Sequence, residues 1–362
     1  MRRRRVAVQF QEDLPPVRPI VRQFDVDVGQ CYACGLRVQG RHPLQTSDAL
    51  GAAAAQVGPQ ALALATVLHT RLGLSFAKVA RLLREQFGLR ITPGGLVHAL
   101  HRVSRQGAPS YAELQATVRG SPVVSPDETG WKVAAHLEWL WAFATPDTTV
   151  YAILPGCGFE EATSVLGADY AGVLMRDGWA PYRRFSHAVF QTCLAHLLRR
   201  SRALERDHGD HIWAPRVQAR LRQALAVRDR HAAGTMSAHG VAVARGHLVN
   251  RFNELIEEVG SSRTAQIFAA HLAIEFPGVF TFLLDPTIDA TNWRAEQALR
   301  PAVVTRKVCG GNRTWRGART QAVLASVLQT LHLRHEDPLA VLTELLRAPS
   351  STVPLALAQP IE

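Results

Sequence analysis

Between Val123 and Thr192 the apolar residues stop recurring at helical spacing and begin to alternate, and this change of period constrains the fold more than any other feature. Val123 and Val124 lead into Asp127. Leu137, Trp139, Trp141 and Phe143 alternate with Glu138, Leu140 and Ala142, and after a turn at Pro146-Asp147 the run Thr148 to Leu154 is again extended. This predicts a meander of three strands. A helix over Phe159 to Leu166 follows, then a short apolar strand, Gly172 to Met175, that ends at Asp177-Gly178. A link around Tyr182 and a strand near Ala188 to Thr192 complete the pattern. Three strands, helix, strand, helix or turn, strand is the order of a ribonuclease-H-like fold, so the expected class is α/β with a mixed sheet.

Helical spacing holds on both sides of that segment. From Ser47 to Val103, Val57, Ala61, Leu64, Val67, Leu68 and Leu72 mark one apolar face, and Val79, Leu82, Leu83 and Phe87 mark another. Ser75 is placed to cap a helix that Gly88 closes, and Thr92 to cap a second one with Pro93 at its first position. Helix, short turn, helix is the pattern of a helix-turn-helix. Its second helix, Gly94 to Arg105, would present His98, His101, Arg102 and Arg105 to a DNA groove, although plain packing pairs share the pattern. From about Leu194 to Leu284 helical spacing returns, which predicts a helical insertion. A further helix carries Asn292, Glu296 and Arg300. A basic Gly-rich loop then leads to helices at Gln321 to Leu333 and Pro338 to Leu346, with a frayed tail after Pro349.

The expected organisation is a partial zinc-binding-type arm (1–45), a helix-turn-helix region (46–118), a ribonuclease-H-like catalytic domain (119–335) with its helical insertion at about 197–285, and a C-terminal helix and tail (336–362). With 47% hydrophobic and 20% charged residues the chain can bury one large core or two smaller ones. No stretch approaches the roughly 18 apolar residues of a membrane span, and the arginines after Met1 are followed by Gln9, Glu12 and Asp13 rather than an apolar segment. A cytoplasmic protein without membrane contact is expected. An odd count of five cysteines with one close pair, Cys31 and Cys34, is no disulfide framework.

The net charge is +11, and because Lys occurs only at 78, 132 and 307, 38 of the 41 basic residues are Arg. The net charge favours a polyanionic partner, whose phosphate oxygens suit the guanidinium fork. Acids are the other informative group. Phosphoryl transfer on DNA needs carboxylates that converge from separate elements on a pair of hard metal ions. In the expected sheet Asp127 closes the first strand and Asp177 the fourth, which are neighbours, and Glu296 on a packed helix can reach across. Spacing alone leaves Glu128, Asp169, Asp285 and Asp289 equally available.

Motifs narrow that choice. Asp127-Glu128-Thr129-Gly130-Trp131, Trp139-Leu140-Trp141, Leu174 to Tyr182, Cys193-Leu194-Ala195-His196-Leu197 and Asn292 to Pro301 follow one another in the order seen in one family. Arg306-Lys307, Gly310-Gly311-Asn312-Arg313 and Asp337-Pro338-Leu339 add a C-terminal block. From about Arg41 onward the chain resembles the bacterial insertion-sequence transposase family numbered sixty-six.

The resemblance implies that Asp127, Asp177 and Glu296 are catalytic acids that hold Mg²⁺ or Mn²⁺ for DNA end cleavage and strand transfer. The implied partners are double-stranded DNA at element ends and target, a homo-oligomer in a synaptic complex, and accessory proteins. Asn292, His196 and Arg300 lie in the same motifs and either position acids and DNA or serve the core and caps. Arg300, Arg306, Lys307, Arg313 and Arg316 are expected DNA contacts. Trp131, Trp139, Trp141 and Trp179 are expected in the core. Family members carry two cysteine pairs for a structural zinc, whereas this chain has Cys31 and Cys34 alone; a four-ligand zinc site needs two more, with His42 the nearest candidate. A catalytically inactive, transposase-derived DNA-binding protein and a nuclease of the same fold that cuts without joining are the rival classes.

Overall fold

The computed structural model describes residues 9–14, 17–42, 44–45 and 56–347. The expected helical start at Ser47 and the tail after Pro349 lie outside the described residues. The N-terminal arm is a hairpin of β1 (Val28–Gln30) and β2 (Arg37–Gln39), with Cys31 and Cys34 in its connection. Four helices follow: α1 (Pro59–Thr66), continued by a π turn to Arg71, α2 (Phe76–Phe87), α3 (Pro93–Gln106) and α4 (Ala108–Gly120). The expected punctuation is present. Ser75 accepts the Lys78 N–H, Thr92 accepts the Gly95 N–H, and Gly88 ends α2 at φ +66°, a left-handed turn that glycine adopts without strain.

The sheet comprises β3 (Val123–Val133), β4 (His136–Ala144), β5 (Thr149–Leu154), β6 (Val173–Arg176) and β7 (Val189–Thr192) in the order β5-β4-β3-β6-β7. The first three pair antiparallel, as consecutive strands joined by tight turns do, while β6 and β7 run parallel to β3. Helix α5 (Phe159–Leu166) makes the crossover from the edge strand β5 to the central β6.

Alternation puts Val124, Trp141, Phe143 and Val150 on one face, buried with α1, α3, α4, α5 and two C-terminal helices, α11 (Trp315–Leu333) and α12 (Pro338–Arg347). The other face is narrower. Trp131, Leu140, Ala142 and Tyr151 meet Ala298 and Leu299 of α10 (Trp293–Cys309) there. Helix α11 closes the β5 edge, where Ser326 and Thr330 hydroxyls accept the Tyr151 and Thr149 N–H groups.

Between β7 and α10 the chain forms α6 (Leu194–His208), α7 (Trp213–Ala232), α8 (Ala238–Glu257) and α9 (Arg263–Glu275), which share one core that also takes in Met175 of β6. Residues 263–283 are long and apolar enough to cross a membrane by composition, but with 56% of the apolar window buried against the neighbouring helices they form a core element.

Three expectations differ from the structure in this region. Asp127 lies inside β3, because that strand outruns its parallel neighbour and continues as the arm of a hairpin with β4. Trp179 is 44% exposed; it sits in the turn after β6, where its indole N–H is taken by the Cys157 carbonyl. The helix expected from Gln321 begins at Trp315, capped by the Thr314 hydroxyl on the Gly317 N–H.

Candidate active site

Pairing of β3 with β6 matches Val123 to Val173 and Val124 to Leu174; Asp127 lies three residues beyond the last pair and Asp177 one residue beyond the end of β6. Asp127 stands on the face of β3 opposite Val124. Helix α10 packs on that face of β3. Its entry is fixed by Asn292, whose buried side chain donates Nδ2 to the Pro126 carbonyl at 2.8 Å while its backbone N–H meets the Cys193 sulfur at 3.2 Å. One turn on, Glu296 is half-buried, with His196 Nε2 of α6 3.8 Å from its Oε1.

Asp127 feels the other two carboxylates. Asp127 is pushed up to about 7, first by burial, then by the negative charges of Asp177 and Glu296, against the lowering effect of the Glu128 N–H bonded to its own Oδ1. Glu128 points to the other face. It takes the hydroxyl of the fully buried Tyr182 at 2.9 Å and is pushed up to about 8 by burial and by Asp127 and Asp177. Sequence reasoning left Glu128 among the unassigned acids; its tyrosine partner is 54 residues away and no local pattern announces it.

A second anchor sets the end of β6. Arg176, one residue before Asp177, is buried and donates to Glu275 of α9 at 2.9 Å, and its guanidinium lies 4.2 Å over the Phe190 ring. Glu275 is fully buried and also accepts from Arg183 at 3.0 Å and from the Thr192 hydroxyl at 3.0 Å. Gly178 turns the chain at φ +97°, a region that favours glycine, and Asp177 Oδ1 accepts the Trp179 N–H.

The donors suit a hard divalent cation in kind. They are carboxylate oxygens, and the Oδ1 of Asn292 is buried without a hydrogen-bond partner. Among the described residues, no three His, Cys, Asp or Glu side chains stand close enough to hold an ion together in this conformation.

The other expected site residues separate into groups. His101 is buried and its Nδ1 lies 2.7 Å from the Thr320 hydroxyl, so it ties α3 to α11 instead of facing a groove. His98 and Arg105 are exposed and Arg102 is half-buried. Arg306 is half-buried and is held by the Thr129 hydroxyl at 3.1 Å and by the Gly130 carbonyl, which ties its guanidinium to β3. Arg300, Lys307, Arg313 and Arg316 are exposed. In the arm, the N–H groups of Cys34 and Ala33 hold the Cys31 thiol below its usual range. His42 Nδ1 is taken by the Leu44 N–H, and neither it nor any other described side chain completes a metal group with the two cysteines.

Comparison with known proteins puts the chain among transposases. It matches the family model described as "Transposase IS66 family" over residues 54–320 and belongs to that family. Two curated relatives are the uncharacterized proteins y4qI and y4jD of Sinorhizobium fredii (strain NBRC 101917 / NGR234). The chain is 26% identical to y4qI over 58% of its own length and 43% of the relative's. It is 25% identical to y4jD over 72% of its own length and 56% of the relative's. The chain thus spans about half the length of the curated relatives it matches.

Proposed function

We propose that this protein is a metal-dependent transposase that hydrolyses a phosphodiester at the ends of a DNA element and joins the freed 3′ hydroxyl to target DNA, with Asp127, Asp177 and Glu296 as its catalytic acids. The observation that carries this reading is that Asp127, in β3, and Asp177, next after the parallel neighbour β6, lie near enough to each other and to Glu296 for both charges to raise the Asp127 pKa. The strand order, with the first strand central between an antiparallel meander and two parallel strands, is that expected of a ribonuclease-H-like sheet and supports the reading. Family membership supports a transposase-like role.

Mg²⁺ or Mn²⁺ bound by the three carboxylates would supply an activated water and stabilise the departing 3′ oxygen. The chain's own groups set the geometry. Asn292 holds the start of α10 on β3, His196 stands beside Glu296, and the Arg176–Glu275 pair fixes the strand end that presents Asp177. Burial and the neighbouring acids raise the Asp127 pKa to about 7, so its carboxyl is about half protonated at neutral pH, and a bound cation would favour its charged form.

The test is Mg²⁺-dependent cleavage and joining of labelled element ends by the wild type and by Asp127→Asn, Asp177→Asn and Glu296→Gln. Each exchange keeps size and removes a charged ligand oxygen, so each abolishes both steps while melting and DNA band shifts stay near wild type. Asp285→Asn, at an exposed acid that only bonds Thr287, retains activity. Strand transfer persisting in all three variants would overturn the mechanism. A wild type that binds ends but never cuts them would establish the inactive, DNA-binding alternative instead.

A further inference from the structure

Helices α3 and α11 come from opposite ends of the described fold, yet they enclose a cleft of about 600 Å³ lined by His101, Ser104, Arg105, Arg316, Arg319 and Thr320. The His101–Thr320 hydrogen bond closes its floor and fixes the two helices together. Arg105, Arg316 and Arg319 are exposed at its walls, and none has a carboxylate partner among the described residues. Several other exposed arginines have a carboxylate neighbour, among them Arg206 with Asp207, Arg216 with Glu258, Arg228 with Asp229 and Arg184 with Glu160. Three guanidiniums gathered without a counter-charge repel one another, and the local positive field lowers the His101 pKa beyond the effect of its burial. Such an arrangement is stabilised by an anion from outside the fold.

Leu96, Ala99, Leu100, His101, Val103 and Ser104 of α3 are buried, which leaves Pro93, Gly94, His98 and Arg105 fully on the surface with Arg102 half-buried between them.

We propose that the α3–α11 cleft is a docking groove for the phosphate backbone of duplex DNA, gripping the strand through Arg105, Arg316 and Arg319 without reading sequence. The proposal rests on the transposase reading for the identity of the polyanion, and its test is a binding measurement independent of cutting. Affinity for a 30-base-pair duplex of arbitrary sequence is measured against salt for the wild type, for the triple variant Arg105→Gln/Arg316→Gln/Arg319→Gln, and for the corresponding triple Lys variant. A triple Gln variant at Arg230, Arg251 and Arg263, exposed on α7 to α9, controls for net charge.

Each lost phosphate contact lowers the log–log salt slope by about 0.9, so the cleft variant loses up to roughly 2.7 and binds on the order of a hundredfold more weakly near 0.1 M salt. The loss is the same for unrelated sequences, the Lys variant keeps most of the slope, and the control keeps nearly all of it. A cleft variant with unchanged slope, an equal loss in the control, a loss confined to one sequence, or tighter binding of a duplex RNA than of DNA would overturn the proposal. A wild type that cuts nothing but shows this binding pattern would remove the catalytic reading and leave the groove standing. A wild type whose duplex binding ignores salt would remove the groove and leave the acids to be judged by cleavage.

Discussion

Arg176 and Glu275 form a buried ion pair, Nη2 to Oε2 at 2.9 Å, immediately before the strand end that presents Asp177. The pair joins the sheet to α9, so a stability measurement at these two residues reports on how firmly the helical region holds the acid. Glu275→Leu leaves the Arg176 charge buried without compensation and lowers urea stability by about 3–5 kcal/mol. The double variant Arg176→Met/Glu275→Leu recovers much of that loss. A double variant as unstable as the single one would show that packing, not charge, dominates there.

Asp127 sets a pH signature for the metal-free protein. Its pKa is raised from an ordinary 3.8 to about 7, so between those values the folded chain keeps a proton that the unfolded chain gives up. Stability from this group is full below about pH 4 and is lost as pH rises through about 7. Glu128, raised to about 8, adds a loss with the same sign that finishes higher. The melting temperature without divalent ions therefore falls from pH 5 to pH 8, Asp127→Asn flattens the curve, and added Mg²⁺ offsets the decline on the alkaline side. A wild-type curve that rises relative to Asp127→Asn over that range would contradict the assignment.

Asn292 separates stability from positioning. Asn292→Ala leaves the Pro126 carbonyl without its donor and costs about 1–3 kcal/mol. Because the bond sets where α10 starts, a shift of about 1 Å at Glu296 lowers the cleavage rate on the order of a hundredfold in protein that is still folded. Equal loss of rate and of folded fraction, tracked by circular dichroism in the same samples, would reduce Asn292 to a packing residue.

At Gly178 an added methyl would stand 2.8 Å from His271 Cε1, on a backbone already at φ +97°. Gly178→Ala is expected to destabilise by about 1–3 kcal/mol and to depress cleavage with it. A variant with wild-type melting and activity would show that the turn relaxes without moving Asp177.

Local pattern carried far in this chain wherever a side chain's partner lies nearby. The alternation of Trp139, Trp141 and Phe143 marked β4, and the caps Ser75 and Thr92 with the closing Gly88 marked α2 and α3. What escaped was decided at a distance. Glu275 reads as an ordinary helix acid, and only the fold brings Arg176, Arg183 and Thr192 to it. Trp179 follows an Asp-Gly turn, yet its size suggested a core residue. His101 shares a helix with basic residues, which favoured a solvent-facing reading, but it sits beside Leu100 on the face that α11 covers. The acids Asp127 and Asp177 were legible as strand-associated, while the choice of Glu296 over Asp285 and Asp289 came from motif resemblance.

The bond from Asn292 to Pro126 spans 166 positions of sequence, with the helices α6 to α9 made in between. On the ribosome, where N-terminal parts emerge first, the strands bearing Asp127 and Asp177 are complete well before α10 and α11 exist. A nascent chain stalled within the intervening helices lacks Glu296, and it also lacks the half of the arginine cleft that α11 contributes. The order of synthesis therefore leaves both the three acids and the arginine cleft incomplete until the late helices dock.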